Sequence, residues 1–286
     1  MARVLVTGAS GFIGKHLLGA LADGGHVVAA ASRDSGDVAE TTTWSAVEPC
    51  DAVVHLAGRS FVPDSWADPA AFVRTNVLGT ANALEHCRKN HASLVLLSSY
   101  LYGHPATLPI PETAPLHATN PYAMSKKLAE EACRFYAQSL GVAVTVLRIF
   151  NVYGHGQPEP FLIPSLLRQI ATGREIVVQD LAPRRDYVHV ADVVRAIVTA
   201  VETGGGYRVA NIGSGTSHSV EELIRMMQQV FGTALPVRSN GVRRPDEIMD
   251  TVADIRAART LLGWEPTLSL AAGLKQLRAA AAHRAA

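Results

Sequence analysis

The chain opens "MARVLVTGASGFIG", a β-branched run broken at once by three glycines, and no other stretch limits the fold as strongly. Arg3–Thr7 reads as a strand. Ile13–Ala22 has helical patterning and ends at the glycines of "DGG", 23–25, because glycine is favoured just past a helix C-terminus. Gly8, Gly11 and Gly14 stand three apart between the two. In such a turn the first glycine permits a tight bend and the second lets the backbone approach a diphosphate. The third lets helix pack on strand. The helix N-terminus, with Phe12 and Ile13, adds unpaired N–H groups and a partial positive charge. The stretch therefore predicts a dinucleotide site.

The same rhythm continues. His26–Ala31, Asp51–Ala57, Ser93–Ser98 and Val142–Phe150 read as apolar strands, and Asn76–Lys89 and Pro121–Leu140 as helices between them. Continuous apolar strands alternating with helices predict an α/β Rossmann fold, a doubly wound parallel sheet. A smaller C-terminal α/β substrate lobe is expected to follow. We place the dinucleotide-binding domain at 1–152 and the mainly substrate-binding lobe at 153–286, with 186–212 expected to return to the first sheet. In the second part helices are expected near Ile163–Thr172 and His189–Glu202. Another starts at Ser219, where Ser219 and Glu222 spell a capping box. Strands are expected at 175–179 and 207–212. "RSNGVRRPDE" reads as a loop, and two alanine-rich helices finish the chain.

Composition narrows the classes. Among 286 residues, 48% are apolar and 18% charged, and the formal net charge is +1. That suits a globular chain and offers no basic patch for nucleic acid or a membrane surface. No stretch approaches the roughly 20 apolar residues of a membrane helix. The N-terminal apolar run is too short for a signal segment, so a cytoplasmic location is expected. Cys50, Cys87 and Cys133 lack CxxC spacing, which argues against a disulfide framework and against a metal site.

The end of the second strand bears on cofactor choice. An NAD site places an acidic residue there, about 20 positions after the glycines. Here the strand ends "AAASRDSG", with Ser32 at the expected position and Arg33 next. A hydroxyl and a guanidinium suit a 2′-phosphate, so NADP is expected. Asp34 in the NAD role is the alternative.

"ATNPYAMSK" carries the chemistry. Asn120 is a good N-cap and Pro121 a good first helical residue. Tyr122 and Lys126 then share one helix face. A neighbouring ammonium favours a phenolate, so Lys126 is expected to lower the Tyr122 pKa. Tyr122 would then exchange a proton with a carbinol or carbonyl, and Lys126 would also hold the nicotinamide ribose. "LVLLSSYLYG" supplies Ser98 and Ser99 at a strand end, where open α/β sheets bind ligands.

This combination resembles the extended short-chain dehydrogenase/reductase family, in particular its enzymes of nucleotide-sugar metabolism. Also matching are "VVHLAG", "TNVLGT", "LRIFNVYG", "RRDYVHVADVVRA", "NIGSG" and "ADIRAARTLLGWEPTLSL". The resemblance implies hydride transfer between nicotinamide and a sugar carbon, often C4. It selects Ser98, four before Tyr102 of the "YG" pair, as the catalytic serine beside Tyr122 and Lys126. It places Leu56, Ala57, Gly58, Asn76 and Phe150 against the cofactor. It assigns Ser99, Asn151, Arg185 and Arg244 to a nucleoside-diphosphate sugar. His55, His189 and Asp192 are expected to be structural.

Two departures matter. The 4,6-dehydratases of this family carry an Asp-Glu pair where this chain has Ser99 and Tyr100, so dehydration lacks its acid and base. The stretch between Arg33 and Asp51 is short and lacks a "DLxD" pattern, so a strand and helix there are expected to be trimmed. The loop "RSFVPDSWADP" is most similar to that of GDP-4-keto-6-deoxymannose reductases. The resulting expectation is an NADP-dependent reductase of a 4-keto sugar nucleotide, with NAD as the other candidate cofactor. A redox-neutral 4-epimerase is the alternative. A non-catalytic dinucleotide sensor is a third reading, disfavoured by the presence of Tyr122 and Lys126. A homodimer would form through the helices at 76–90 and 121–140.

Overall fold

The structure, a computed structural model, describes residues 1–242 and 246–285. The first half runs β1 (Arg3–Thr7), α1 (Phe12–Asp23), β2 (Val27–Ala31), α2 (Thr41–Ser45), β3 (Ala52–His55), α3 (Val62–Ala67) and α4 (Pro69–Phe72). A π-helical turn, Val73–Leu78, leads into α5 (Gly79–Asn90), β4 (Ser93–Ser99), α6 (Pro121–Ser139) and β5 (Val144–Ile149). The second half runs β6 (Asn151–Tyr153), α7 (Leu162–Thr172), β7 (Ile176–Val178), β8 (Arg184–His189), α8 (Val190–Thr203) and β9 (Tyr207–Ile212). It ends with β10 (Ser217–Ser219), α9 (Val220–Phe231), β11 (Val237–Ser239), α10 (Arg256–Leu262) and α11 (Leu270–Ala285).

Six parallel strands form the central sheet in the order β2-β1-β3-β4-β5-β9. The order reverses at β1, so a crevice opens beyond the C-terminal ends of β1 and β3, the usual ligand position in such sheets. Alternation along β4 explains why the sheet is covered twice. Val95 and Leu97 join α1 and α8, through Leu17, Leu21, Val193 and Ile197, in one apolar core. Leu94 and Leu96 join α5 and α6, through Leu84, Cys87, Ala129 and Cys133, in the other. Between Arg33 and Asp51 lie only a 3₁₀ turn (Arg33–Ser35) and the short α2; no strand forms there.

Residues 186–212 divide between two sheets. Tyr207–Ile212 is the sixth strand of the central sheet, whereas Arg184–His189 pairs with β6 and β10 in a separate three-stranded sheet. A two-stranded sheet, β7 with β11, places Val237–Ser239 in a stretch that reads as loop. A third apolar core gathers Tyr153, Leu166, Leu223 and Leu274 from β6, α7, α9 and α11.

Buried polar groups tie these parts together. On α8, Asp192 accepts from Thr267 N (3.1 Å), Thr267 Oγ1 (2.8 Å) and Leu268 N (3.1 Å). His189 caps the same helix through Ala191 N at 3.3 Å. Asp186 accepts from Ser214 N (2.6 Å), Gly215 N (3.0 Å) and Ala253 N (3.0 Å). Arg148, buried in β5, bonds both Glu130 carboxylate oxygens from α6 at 2.8–3.2 Å. It also donates to Tyr102 Oη and to Glu112 O, each at 3.0 Å. Tyr102 Oη in turn donates to Asn211 Oδ1 at 2.6 Å. Every polar atom of the Arg148–Glu130 pair that the network uses is matched, so α6 is held in one register on the sheet. Removing one member strands a buried charge, and Glu130→Ala should cost about 3–5 kcal/mol in urea denaturation. The double change Arg148→Met with Glu130→Leu should recover most of that loss.

Candidate active site

The glycine turn is built by close backbone approach. Gly8 has φ +68°, and a Cβ there would sit 2.7 Å from Ala57 N and 2.9 Å from Leu56 C. A Cβ on Gly14 would sit 2.5 Å from Gly8 O. Leu56 and Ala57 thus lie directly against the turn. Thr7 joins the two strand ends, its Oγ1 lying 2.8 Å from His55 Nδ1 and accepting from Ala57 N at 3.2 Å. Burial, then the charge of Lys126, pushes the His55 pKa down to about 3, so this histidine is neutral. Gly11 is the N-cap of α1, no side chain caps that helix, and its first turn carries no acid. Unobstructed first-turn N–H groups at Phe12, Ile13 and Gly14 beside a turn with no room for side chains fit a dinucleotide diphosphate.

At the ribose end the two candidates differ. The Ser32 hydroxyl accepts from Asp34 N at 3.2 Å and its own N–H donates to Ser35 Oγ at 3.2 Å, so Ser32 serves as cap of the short 3₁₀ turn. Arg33 is exposed, and its guanidinium bonds no other described residue. Asp34 stands next to it, near the Ser32 hydroxyl at 3.4 Å.

Helix α6 brings the reactive side chains to the end of β4. Asn120 Oδ1 accepts from Ala123 N at 2.9 Å and Pro121 starts the helix, as its sequence predicts. Lys126 is buried and donates from Nζ to Leu97 O at 2.8 Å. Gly58 leaves room for it: a Cβ there would lie 3.5 Å from Lys126 Nζ and 2.9 Å from Asn76 Oδ1. The Asn76 amide is held by the backbone of Arg59, at 2.8 and 3.0 Å, and donates to Ser125 Oγ at 2.9 Å. Asn76 therefore fastens the loop after β3 to α6, a structural task for its side chain. The Ser98 hydroxyl is buried and has no hydrogen-bond partner, unusual for a core hydroxyl. Phe150 supports the site from below, stacked on Tyr100 with centroids 5.5 Å apart.

The expected effect of Lys126 on Tyr122 is corrected here. The Tyr122 pKa is pushed up to about 12, chiefly by burial; hydrogen bonding with Ser99 pulls the other way, and the Tyr100 phenol adds to the rise. The Lys126 pKa is itself brought down to about 8 by burial, against the pull of Glu130. The Lys126 ammonium is anchored on Leu97 O of the interior strand β4. In this state Tyr122 is a proton donor at neutral pH.

The substrate candidates are only partly gathered. Asn151 donates to Asp186 O at 3.3 Å. Arg185 does not present an open fork: it donates to Ile248 O at 2.7 Å and pairs with Glu247. Arg244 lies outside the described residues. Sequence reasoning missed Glu247 and the Arg148–Glu130–Tyr102–Asn211 network. A signal for the network existed, since an arginine inside "TVLRIF" must find a buried partner. Among the described residues no group of three His, Cys, Asp or Glu side chains is arranged to hold a metal ion. Nor is any helix among them long and apolar enough to cross a membrane.

Residues 4–213 match the family model described as NAD dependent epimerase/dehydratase family. The chain belongs to that family. Its parallel sheet and glycine turn are those of an NAD(P)-dependent nucleotide-sugar enzyme of the extended short-chain dehydrogenase/reductase type. Among family members, the GDP-6-deoxy-D-mannose reductase of Pseudomonas aeruginosa is 33% identical over 298 residues, covering 96% of this chain and 95% of the relative. A UDP-glucose 4-epimerase of Azospirillum brasilense is 32% identical over 306 residues, covering 92% and 87%. The structure of RMD from Pseudomonas aeruginosa complexed with NADPH superposes with a TM-score of 0.91 at 32% identity, covering 99% of this chain and 100% of that one. MoeE5 in complex with UDP-glucuronic acid and NAD gives 0.89 at 30% identity, covering 97% and 99%. The free guanidinium of Arg33 leads to a direct expectation for this family member. Arg33→Ala should weaken NADPH binding by about tenfold, the scale of one charge-assisted phosphate contact, and leave NADH binding unchanged in a fluorescence titration.

Proposed function

We propose that this family member is an NADPH-dependent reductase of a 4-keto sugar carried on a nucleoside diphosphate. The observation that carries the reading is the unpartnered buried hydroxyl of Ser98 at the strand end whose next residue, Ser99, bonds a protonated Tyr122. Bound NADPH supplies the hydride. Ser98 donates a hydrogen bond to the keto oxygen and polarises it. Tyr122 gives its proton to that oxygen as negative charge develops there, the task of a general acid. Lys126, packed closely against Gly58, holds the nicotinamide ribose, and Arg33 holds the 2′-phosphate. The backbone of Gly8, Gly11 and Gly14 and the start of α1 receive the diphosphate. Ser99 and Asn151 are assigned to the sugar; Arg185 would have to exchange Glu247 for a nucleotide phosphate, and Arg244, outside the described residues, is the second candidate for that role. On this reading 1–152 and β9 carry the cofactor, and most of 153–286 carries the sugar nucleotide.

The reductase relative and the NADPH-bound structure support this choice. The UDP-glucose 4-epimerases support a redox-neutral second reading that uses the same residues. Exposed Met124, Leu128 and Phe135 follow one another along α6 at helical spacing, and Leu78 precedes α5. Such an apolar stripe on two neighbouring helices supports a homodimer through them. The buried free thiols of Cys50, Cys87 and Cys133 accord with a reducing cytoplasm.

Absorbance of the reduced cofactor separates the two chemistries. With GDP-4-keto-6-deoxymannose, one NADPH should be oxidised per sugar reduced. Tyr122→Phe should lower the rate at least about a hundredfold, the usual contribution of a positioned general acid. Turnover of UDP-glucose to UDP-galactose with no net change in absorbance would select the epimerase instead.

A further inference from the structure

The end of the sheet carries two phenols that hydride and proton transfer do not use. Tyr100 follows β4 directly, its N–H donating to Ile149 O at 3.2 Å. Its ring lies on Phe150 with planes 30° apart. No hydrogen bond ties its hydroxyl to another described residue. Tyr187 lies on β8 opposite Asn151 of β6, and Asn151 directly follows Phe150. Two positions before it, on the same face of the strand, stands Arg185. The Tyr187 side chain is 5% exposed, and its hydroxyl is buried without a partner. Phe150 and Asn151, adjacent in the chain, thus link the two phenols: one carries the Tyr100 ring and the other pairs with Tyr187.

An unpaired buried hydroxyl destabilises a fold, and phenylalanine would fill the same volume without that penalty. A group of this kind calls for a partner that arrives with the ligand. Resting on the sugar-nucleotide reading above, we infer that Tyr100 and Tyr187 recognise the hexose itself. The Tyr100 ring, fixed by Phe150, offers an apolar platform to the sugar's C–H face. The two hydroxyls bond hexose oxygens away from the reacting carbon. The sugar is thus chosen by phenols, while nucleotide and diphosphate are held by other groups. Tyr100 and Tyr187 are substrate-contacting residues that set specificity and take no part in the proton transfer.

The test compares hexose-bearing probes with bare nucleotides. Calorimetric titrations of the full chain saturated with NADP would use GDP-mannose and UDP-glucose, each against GDP or UDP. In Tyr187→Phe and Tyr100→Phe the dissociation constant of the sugar nucleotide should rise about tenfold, the scale of one lost hydrogen bond. That of the bare nucleotide should stay unchanged. The ligand-free Tyr187→Phe protein should melt at the same temperature or higher, because an unpaired buried hydroxyl has been removed. A lower melting temperature with an unchanged ratio of sugar-nucleotide to nucleotide affinity would mark Tyr187 as a fold residue and overturn the inference. Equal weakening of both probes would overturn it as well. Failure of the unaltered protein to bind either sugar nucleotide would instead sink the sugar-nucleotide reading on which it rests.

Discussion

The seating of α6 on the central sheet is the constraint on which the site depends. Two contacts fix it. Lys126 reaches through the core to Leu97 O, and one turn further Glu130 meets Arg148 of β5. Both are buried, so neither tolerates a shift of the helix by even one residue without leaving a polar group unmatched. With that register set, Tyr122 arrives at the end of β4, where Ser98 and Ser99 emerge. The chemistry at the mouth therefore follows from electrostatics deep in the sheet. Tyr102 and Asn211 extend the same network to β9, which binds the last strand of the sheet to α6.

A second constraint is steric. The turn after β1 lies so near the strand after β3 that Gly8 admits no side chain, and Gly14 admits none against Gly8. Such closeness brings backbone N–H groups to the surface of the turn, and these suit an extended anion. The Thr7–His55 contact holds the two strand ends together, and burial, with the charge of Lys126, keeps His55 neutral.

Much of this was legible in the sequence, and the gaps have physical causes. The first strand and the sixth read with their observed bounds, because short apolar runs that end at a glycine turn (Gly8, Gly213) have few other solutions. Tyr122 and Lys126 could be placed on one helix face because Asn120 and Pro121 mark where that helix begins. The short strands at 151–153, 184–189, 217–219 and 237–239 were not legible. "RRDYVH" and "SHS" have no apolar alternation, and they are strands only because a partner lies beside them. The pairing of Arg185 with Glu247 spans 62 residues and leaves no local trace. Spacing put Lys126 near Tyr122 but carried no information on burial, and burial decides the direction of the tyrosine's shift.

That direction is the central physical claim: in the resting protein Tyr122 holds its proton. The direct measurement is a pH titration of the ligand-free protein carrying ring-labelled tyrosine, followed by carbon NMR, with Tyr122→Phe identifying the resonance. The account predicts that this resonance stays at its phenol position through neutral pH and begins to move only above about pH 10, beyond the value of a free tyrosine. A midpoint near pH 7 would show a phenolate held by Lys126 and would contradict it.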